Sequence, residues 1–118
     1  NPRPAPWADW WALDSSDAIV GLCGFKGPPD ADAVVEIAYG SFPLIEGRGV
    51  ATAMARGLLA IAAANGARTA IAHTLAPDNA SAAVLTRNGF TPVGRVIDPE
   101  DGEVWRWQRS LEPASATA

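Results

Sequence analysis

The sequence predicts one α+β domain, built on a mixed, mostly antiparallel sheet with a single β-α-β crossover at its centre. Three observations carry this. The first third of the chain is a run of strand-like segments separated by tight turn signals, and strands joined this closely pair antiparallel. A single Ala-rich segment of helical period follows them. A further strand comes next, and a strand, helix, strand order implies a parallel crossover. The chain has 118 residues, which suits one domain and is too short for two. At 48% hydrophobic residues the composition supplies a packed core. The domain is expected to span 1–118, with its core over about 10–110.

Residues 1–9 are Pro-rich and read as irregular. A short strand is expected over 10–13. Asp14-Ser15-Ser16-Asp17 has turn chemistry, because short polar side chains bond their own backbone. A second strand should cover 18–26, with Gly21 and Gly24 pointing to a bulge or a close approach of backbone. Gly27-Pro28-Pro29-Asp30 breaks it, and a third strand follows over 33–41. The helix is placed at 49–64. Its larger apolar residues Val50, Met54, Leu58 and Ile61 fall on one side, its alanines favour helix, and Asn65-Gly66 stops it. Residues 69–75 read as a strand and 81–88 as a short helix ended by Gly89. Residues 91–97 and 104–109 read as a closing hairpin around Pro99-Glu100-Asp101-Gly102.

Composition excludes several functions. The formal net charge is −4 and the basic residues are few and scattered, which argues against a nucleic-acid partner. One cysteine, Cys23, allows no intrachain disulfide and reads as a small packed hydrophobe. A reducing cytoplasm suits it. No apolar run reaches a membrane span, and no ligand spacing for a metal exists, with one His and one Cys.

The most informative stretch is Glu46-Gly47-Arg48-Gly49-Val50-Ala51-Thr52, which joins a strand to the start of the helix. Gly47 and Gly49 remove side chains where backbone bends or meets a ligand. The first helical N–H groups lack intrahelical acceptors, and the helix dipole adds positive charge there. The combination suits a phosphate or pyrophosphate. It is neither a Walker loop nor a dinucleotide fingerprint, since the required lysine and glycine spacing are absent. An ordinary glycine loop before a helix is the other reading.

This turn resembles that of the GNAT acetyltransferases, especially the branch of the ribosomal-protein N-terminal acetyltransferases, whose pattern is Gln/Arg-x-x-Gly-x-Gly/Ala. Here the pattern reads Glu46-x-x-Gly49-x-Ala51, so its first position departs. The stretches 35–40, 74–81 and 84–90 resemble the family's fourth strand, the loop after its fifth strand and its late helix, in the family's order. The resemblance implies acetyl-CoA as co-substrate, with no metal. It implies that Ser41, Phe42, Gly47, Arg48, Gly49, Val50, Ala51, Thr52 and Asn79 hold it. In this picture the third and fourth strands splay and the pantetheine arm lies between them. The oxyanion donor is a backbone N–H near Ser41-Phe42, and Pro43 has none to offer.

Acetyl transfer to an amine needs a base for the amine, a donor for the oxyanion and an acid for the thiolate. Glu36 is the expected base, as a charged residue inside an apolar strand, and the family often has a glutamate there that works through water. Its other reading is a solvent-facing residue or one paired with an arginine. The family's usual tyrosine acid falls on Leu85, and the resemblance to this branch implies Ser81 as the substitute, although helix capping is its first reading. Asn79 carries the same alternative. His73, the only histidine, reads as a packing or structural residue. The expected function is thus acetyl transfer to a primary amine in a ternary complex. The alternative is a non-catalytic acyl-CoA-binding or oligomerising domain, and Glu36 discriminates them by pointing into a cleft or to solvent. The resemblance also leads us to expect that the family's first strand and helices are absent. That in turn predicts a weak catalyst that self-associates as a homodimer, with Trp7, Trp10 and Trp11 as contacts.

Overall fold

The computed structural model describes residues 6–7, 9–13, 15–41 and 49–111. The order of elements is β1 (Asp9–Leu13), β2 (Ile19–Phe25), β3 (Val34–Ser41), α1 (Val50–Ala64), β4 (Thr69–Thr74), α2 (Ala80–Arg87), β5 (Thr91–Asp98) and β6 (Gly102–Ser110). They form one six-stranded sheet in the order β1-β2-β3-β4-β6-β5. Only β3 and β4 are parallel, joined through α1, and every other neighbouring pair is antiparallel. This is the mixed sheet with a central crossover that the sequence predicts.

Local chemistry sets the ends of these elements. The bulge hinted at by the glycines of β2 appears opposite Ala12 and Leu13, whose partners jump from Gly21 to Ile19. Asp98 accepts hydrogen bonds from the backbone N–H of Glu100 and Asp101 and so closes the β5–β6 turn. Those two bonds hold its carboxyl below the ordinary carboxylate range. Asn65 and Gly66, the latter at φ +93°, end α1 as expected.

Both helices pack on one face of the sheet. Val35 and Ile37 of β3, Ala70 and Ala72 of β4, and Trp107 of β6 join Leu58, Ala62 and Leu85 in one core. The buried side of α1 is Met54, Ala55, Leu58, Leu59 and Ala62. It is rotated from the expected stripe, leaving Val50 and Ile61 only partly covered. The alanines explain the rotation, since a small side chain lets the helix axis approach the sheet while larger residues flank the seam. Trp7 is buried against Phe25, with ring centroids 5.0 Å apart and edge-to-face. It belongs to the core, which removes it from the expected self-association contacts. Trp11's side chain lies outside the described residues.

Candidate active site

The sheet opens at its centre. β3 and β4 pair only at Val34–Thr69, Val35–Ala70 and Glu36–Ile71. Beyond that point β3 continues to Ser41 along β2, while β4 continues to Thr74 along β6. Each strand is thus held by its outer neighbour while the two diverge, and the facing backbone edges lose their ladder partners. A cleft of about 190 Å³ occupies the gap, lined among others by Glu36, Tyr39, His73, Thr74 and Ser81. Glu36 stands at the apex, in the last paired position.

Strand alternation divides the cleft's side chains between two faces. Glu36 and His73 lie on the face away from the helices. His73 Nδ1 is 2.8 Å from Glu36 Oε2, and Lys26 Nζ is 3.3 Å from the same oxygen. Arg106, the register partner of His73 on β6, donates from Nε to His73 Nε2 at 3.1 Å. Glu36 therefore faces the cleft with its side chain 23% exposed, paired with a lysine and a histidine rather than an arginine. His73 makes structural hydrogen bonds, as expected, but its partner is the candidate base itself.

The helix face supplies hydroxyls. Tyr39 donates to the Ser81 carbonyl at 3.1 Å and accepts from Ser81 Oγ at 3.2 Å. Burial pushes the Tyr39 phenol above its ordinary value of 10.0, with the Ser81 hydrogen bond offsetting part of the rise. These contacts overturn the reading of Ser81 as a cap. Asn79 is the N-cap of α2, accepting from Ala82 N at 2.9 Å, which leaves the Ser81 hydroxyl for the cleft. The cap uses only the Asn79 carbonyl oxygen; its amide nitrogen is not part of it. Thr74 donates to the Ala76 carbonyl and accepts from Trp107 Nε1, so the loop leaving β4 is fixed beside the cleft. Leu85, at the family's tyrosine position, is fully buried and offers no proton. Sequence reasoning missed Tyr39 as a residue of the cleft. Its signal was available, as the only tyrosine of the chain, one turn of strand alternation out of phase with Glu36.

At the start of α1, Gly49 takes the left-handed conformation at φ +79° and provides no side-chain cap, and the first turn holds no acidic residue. The N–H groups of Val50, Ala51 and Thr52 are the first of the helix, and the first N–H groups of a helix have no partner within it, so a terminus of this kind suits an anion. Among the described residues nothing lies within 4 Å of a Cβ added at Gly49, and its positive φ is what favours glycine there. Phe42, Gly47 and Arg48 lie outside the described residues, as does the side chain of Ser41. No group of three or more potential metal ligands occurs among the described residues. No helix among them is long and apolar enough to cross a membrane.

A family model described as an acetyltransferase (GNAT) domain matches residues 2–91. No curated protein matches the sequence significantly. Among solved structures, a GNAT-superfamily phosphinothricin acetyltransferase from Sinorhizobium meliloti, in complex with AcCoA, superposes with a TM-score of 0.75 at 24% identity. The alignment covers 94% of this chain and 64% of that one. A spermidine N-acetyltransferase chimera from Vibrio cholerae and hSSAT superposes with a TM-score of 0.77 at 14% identity, covering 88% of this chain and 66% of that one. These likenesses show a shared fold, and the chain spans slightly under two thirds of the length of either protein.

Proposed function

The chain belongs to the GNAT acetyltransferase family, and on that premise we propose that it moves an acetyl group from acetyl-CoA to a primary amine by direct attack in a ternary complex. The observation that carries this reading is the place of Glu36, at the apex of the splayed strands and facing the cleft. A carboxylate pointing to bulk solvent would have favoured a binding domain without turnover. The phosphinothricin and spermidine enzymes that share the fold act on small amines by their names, which supports an amine as acceptor here.

Each part of the chemistry has residues that suit it. The N-terminus of α1, with Gly49, Val50, Ala51 and Thr52, suits the pyrophosphate, together with Gly47 and Arg48 of the preceding turn. The unpaired edges of β3 and β4 suit the amides of the pantetheine arm, with Asn79 and Ser41 at their ends. A backbone N–H at Ser41 or Phe42 would receive the oxyanion. Glu36 accepts the amine proton, directly or through water, since only the neutral amine attacks. The leaving thiolate draws a proton from the Ser81–Tyr39 pair. A phenol ionises near 10, far below an alkyl hydroxyl, so Tyr39 is the stronger acid, and Ser81 Oγ, which donates to the phenol oxygen, orients it. The single cysteine suits a reducing compartment, and we place the enzyme in the cytoplasm.

Glu36→Gln tests the proposal. It should lower kcat by roughly 10²–10⁴-fold, the range for loss of a general base. Calorimetry should show acetyl-CoA affinity nearly unchanged. An unchanged rate, under conditions where the chemical step limits, would remove Glu36 from the mechanism.

A further inference from the structure

We propose that His73, held by Arg106 with its proton on Nδ1, is a positioning residue that commits Glu36 Oε2 and reserves Oε1 for the proton of the acceptor amine. The proposal rests on reading Glu36 as the base. Arg106 can only donate, and it stays charged. Its Nε lies 3.1 Å from His73 Nε2, so that nitrogen must present a lone pair. A neutral ring then carries its proton on Nδ1, which faces Glu36 Oε2 at 2.8 Å. A second ring proton would set N–H against N–H at Arg106. The ring thus orients Glu36 as a neutral donor.

The carboxylate is asymmetric as a result. Oε2 receives both His73 and Lys26, while no described group bonds Oε1. The line of contacts crosses four strands or their ends: Lys26 after β2, Glu36 on β3, His73 on β4 and Arg106 on β6. The other charged groups that line the cleft are Asp98, at the end of β5, and Asp101, in the turn that follows. Asp98 is engaged by the backbone of its own turn. The side chain of His73 is 16% exposed, so water competes little for the Nδ1 bond. A base acts only when its oxygen sits where the proton leaves, and misplacement by about 1 Å can cost roughly 10²-fold in rate. The His73 bond holds one oxygen, beside the ion pair with Lys26, and so restricts the rotation that would misplace the other.

Two measurements on the intact protein test this. His73 is the only histidine, so imidazole ¹⁵N–¹H correlation spectra report it without ambiguity. The spectrum should show the proton on Nδ1 and a lone pair on Nε2, and Arg106→Leu should shift it toward the Nε2–H form. An Nε2–H or mixed tautomer in the unaltered protein overturns the proposal, whether or not an acceptor is known. The second measurement is thiol release from acetyl-CoA with spermidine and phosphinothricin as amine probes. His73→Phe should lower kcat by about 10²-fold with KM for acetyl-CoA unchanged. His73→Asn, which keeps a donor near the place of Nδ1, should recover most of the loss. In a Glu36→Gln background His73→Phe should cost nothing further, because residues that act as a unit are not additive. A full extra loss in that background, or a normal kcat for His73→Phe alone, overturns the positioning role. If Glu36→Gln keeps full activity, the base reading falls and the positioning role falls with it, while an intact Nδ1–H spectrum would show that the hydrogen-bonded line itself is real.

Discussion

Glu36 and Tyr39 stand three residues apart on β3, and strand alternation sends them to opposite faces of the sheet. One cleft therefore receives a carboxylate from one face and a phenol from the other, suited to taking a proton from the amine and giving one to the thiolate. At this scale we predict that Tyr39→Phe lowers kcat by roughly 10²-fold and that Ser81→Ala has the smaller effect. A Tyr39→Phe enzyme as fast as the parent in single-turnover thiol release would show that the thiolate leaves without it. The same residue sets a pH dependence of stability. Burial raises the folded-state pKa of Tyr39 above its ordinary 10.0, so the unfolded chain loses the phenolic proton first as pH climbs. The contribution is complete below about pH 10 and is lost as pH rises through the folded value. Denaturant titrations should therefore show stability falling on the alkaline side, and Tyr39→Phe should flatten that fall. Glu36 was legible in the sequence as a charge in an apolar strand. The partners of Tyr39 and Ser81 were not, because a hydroxyl's bonding depends on a neighbour 42 residues away.

At the scale of elements, the two helix starts use opposite solutions to the same orphan N–H groups. α2 caps its own start with the Asn79 side chain, while α1 begins at a left-handed Gly49 that offers no side-chain cap. Gly49→Val should weaken acetyl-CoA binding by tenfold or more, on the order of 1–3 kcal/mol of backbone strain appearing as a displaced turn. Gly49→Asn, which tolerates φ > 0, should keep most of the affinity. Calorimetry decides, and a folded Gly49→Val variant with normal affinity would detach the cofactor from this turn. The two helices are also tied together. Asn88 at the end of α2 donates to the Thr52 carbonyl in the first turn of α1, and Arg109 donates to the Asn88 carbonyl. The first turn of α1 is thereby braced against the helix that carries Ser81. Element ends were largely legible from sequence, since caps, Asn-Gly stops and turn aspartates act within a few residues.

At the scale of the whole molecule, both helices cover one face, and β1 is an edge strand. Leu13 and Leu22, on one face of β1 and β2, are 55% and 38% exposed, and Trp10, on the other face, is 40% exposed, so this edge carries apolar side chains of the kind that pair with another chain. We predict that the 118-residue chain self-associates there. Sedimentation should give a mass above 12.3 kDa that falls on dilution, and the double variant Leu13→Lys, Leu22→Lys should be monomeric. A monomeric parent chain at tens of micromolar would refute the association.

The class of fold, the succession of strands and helices, the glycines before α1 and the charge of Glu36 inside an apolar strand are all readable from the amino-acid sequence alone. These rest on periodicity and on caps and turns, which are short-range. The tertiary structure alone decided which side chains meet. The parallel register of β3 with β4 places Glu36 beside His73, 37 residues on, and the antiparallel register with β6 sets Arg106 behind it, 33 residues further. A shift of one residue in either pairing would send these groups to opposite faces, and strand register is set by the packing of the whole sheet, which no local pattern encodes.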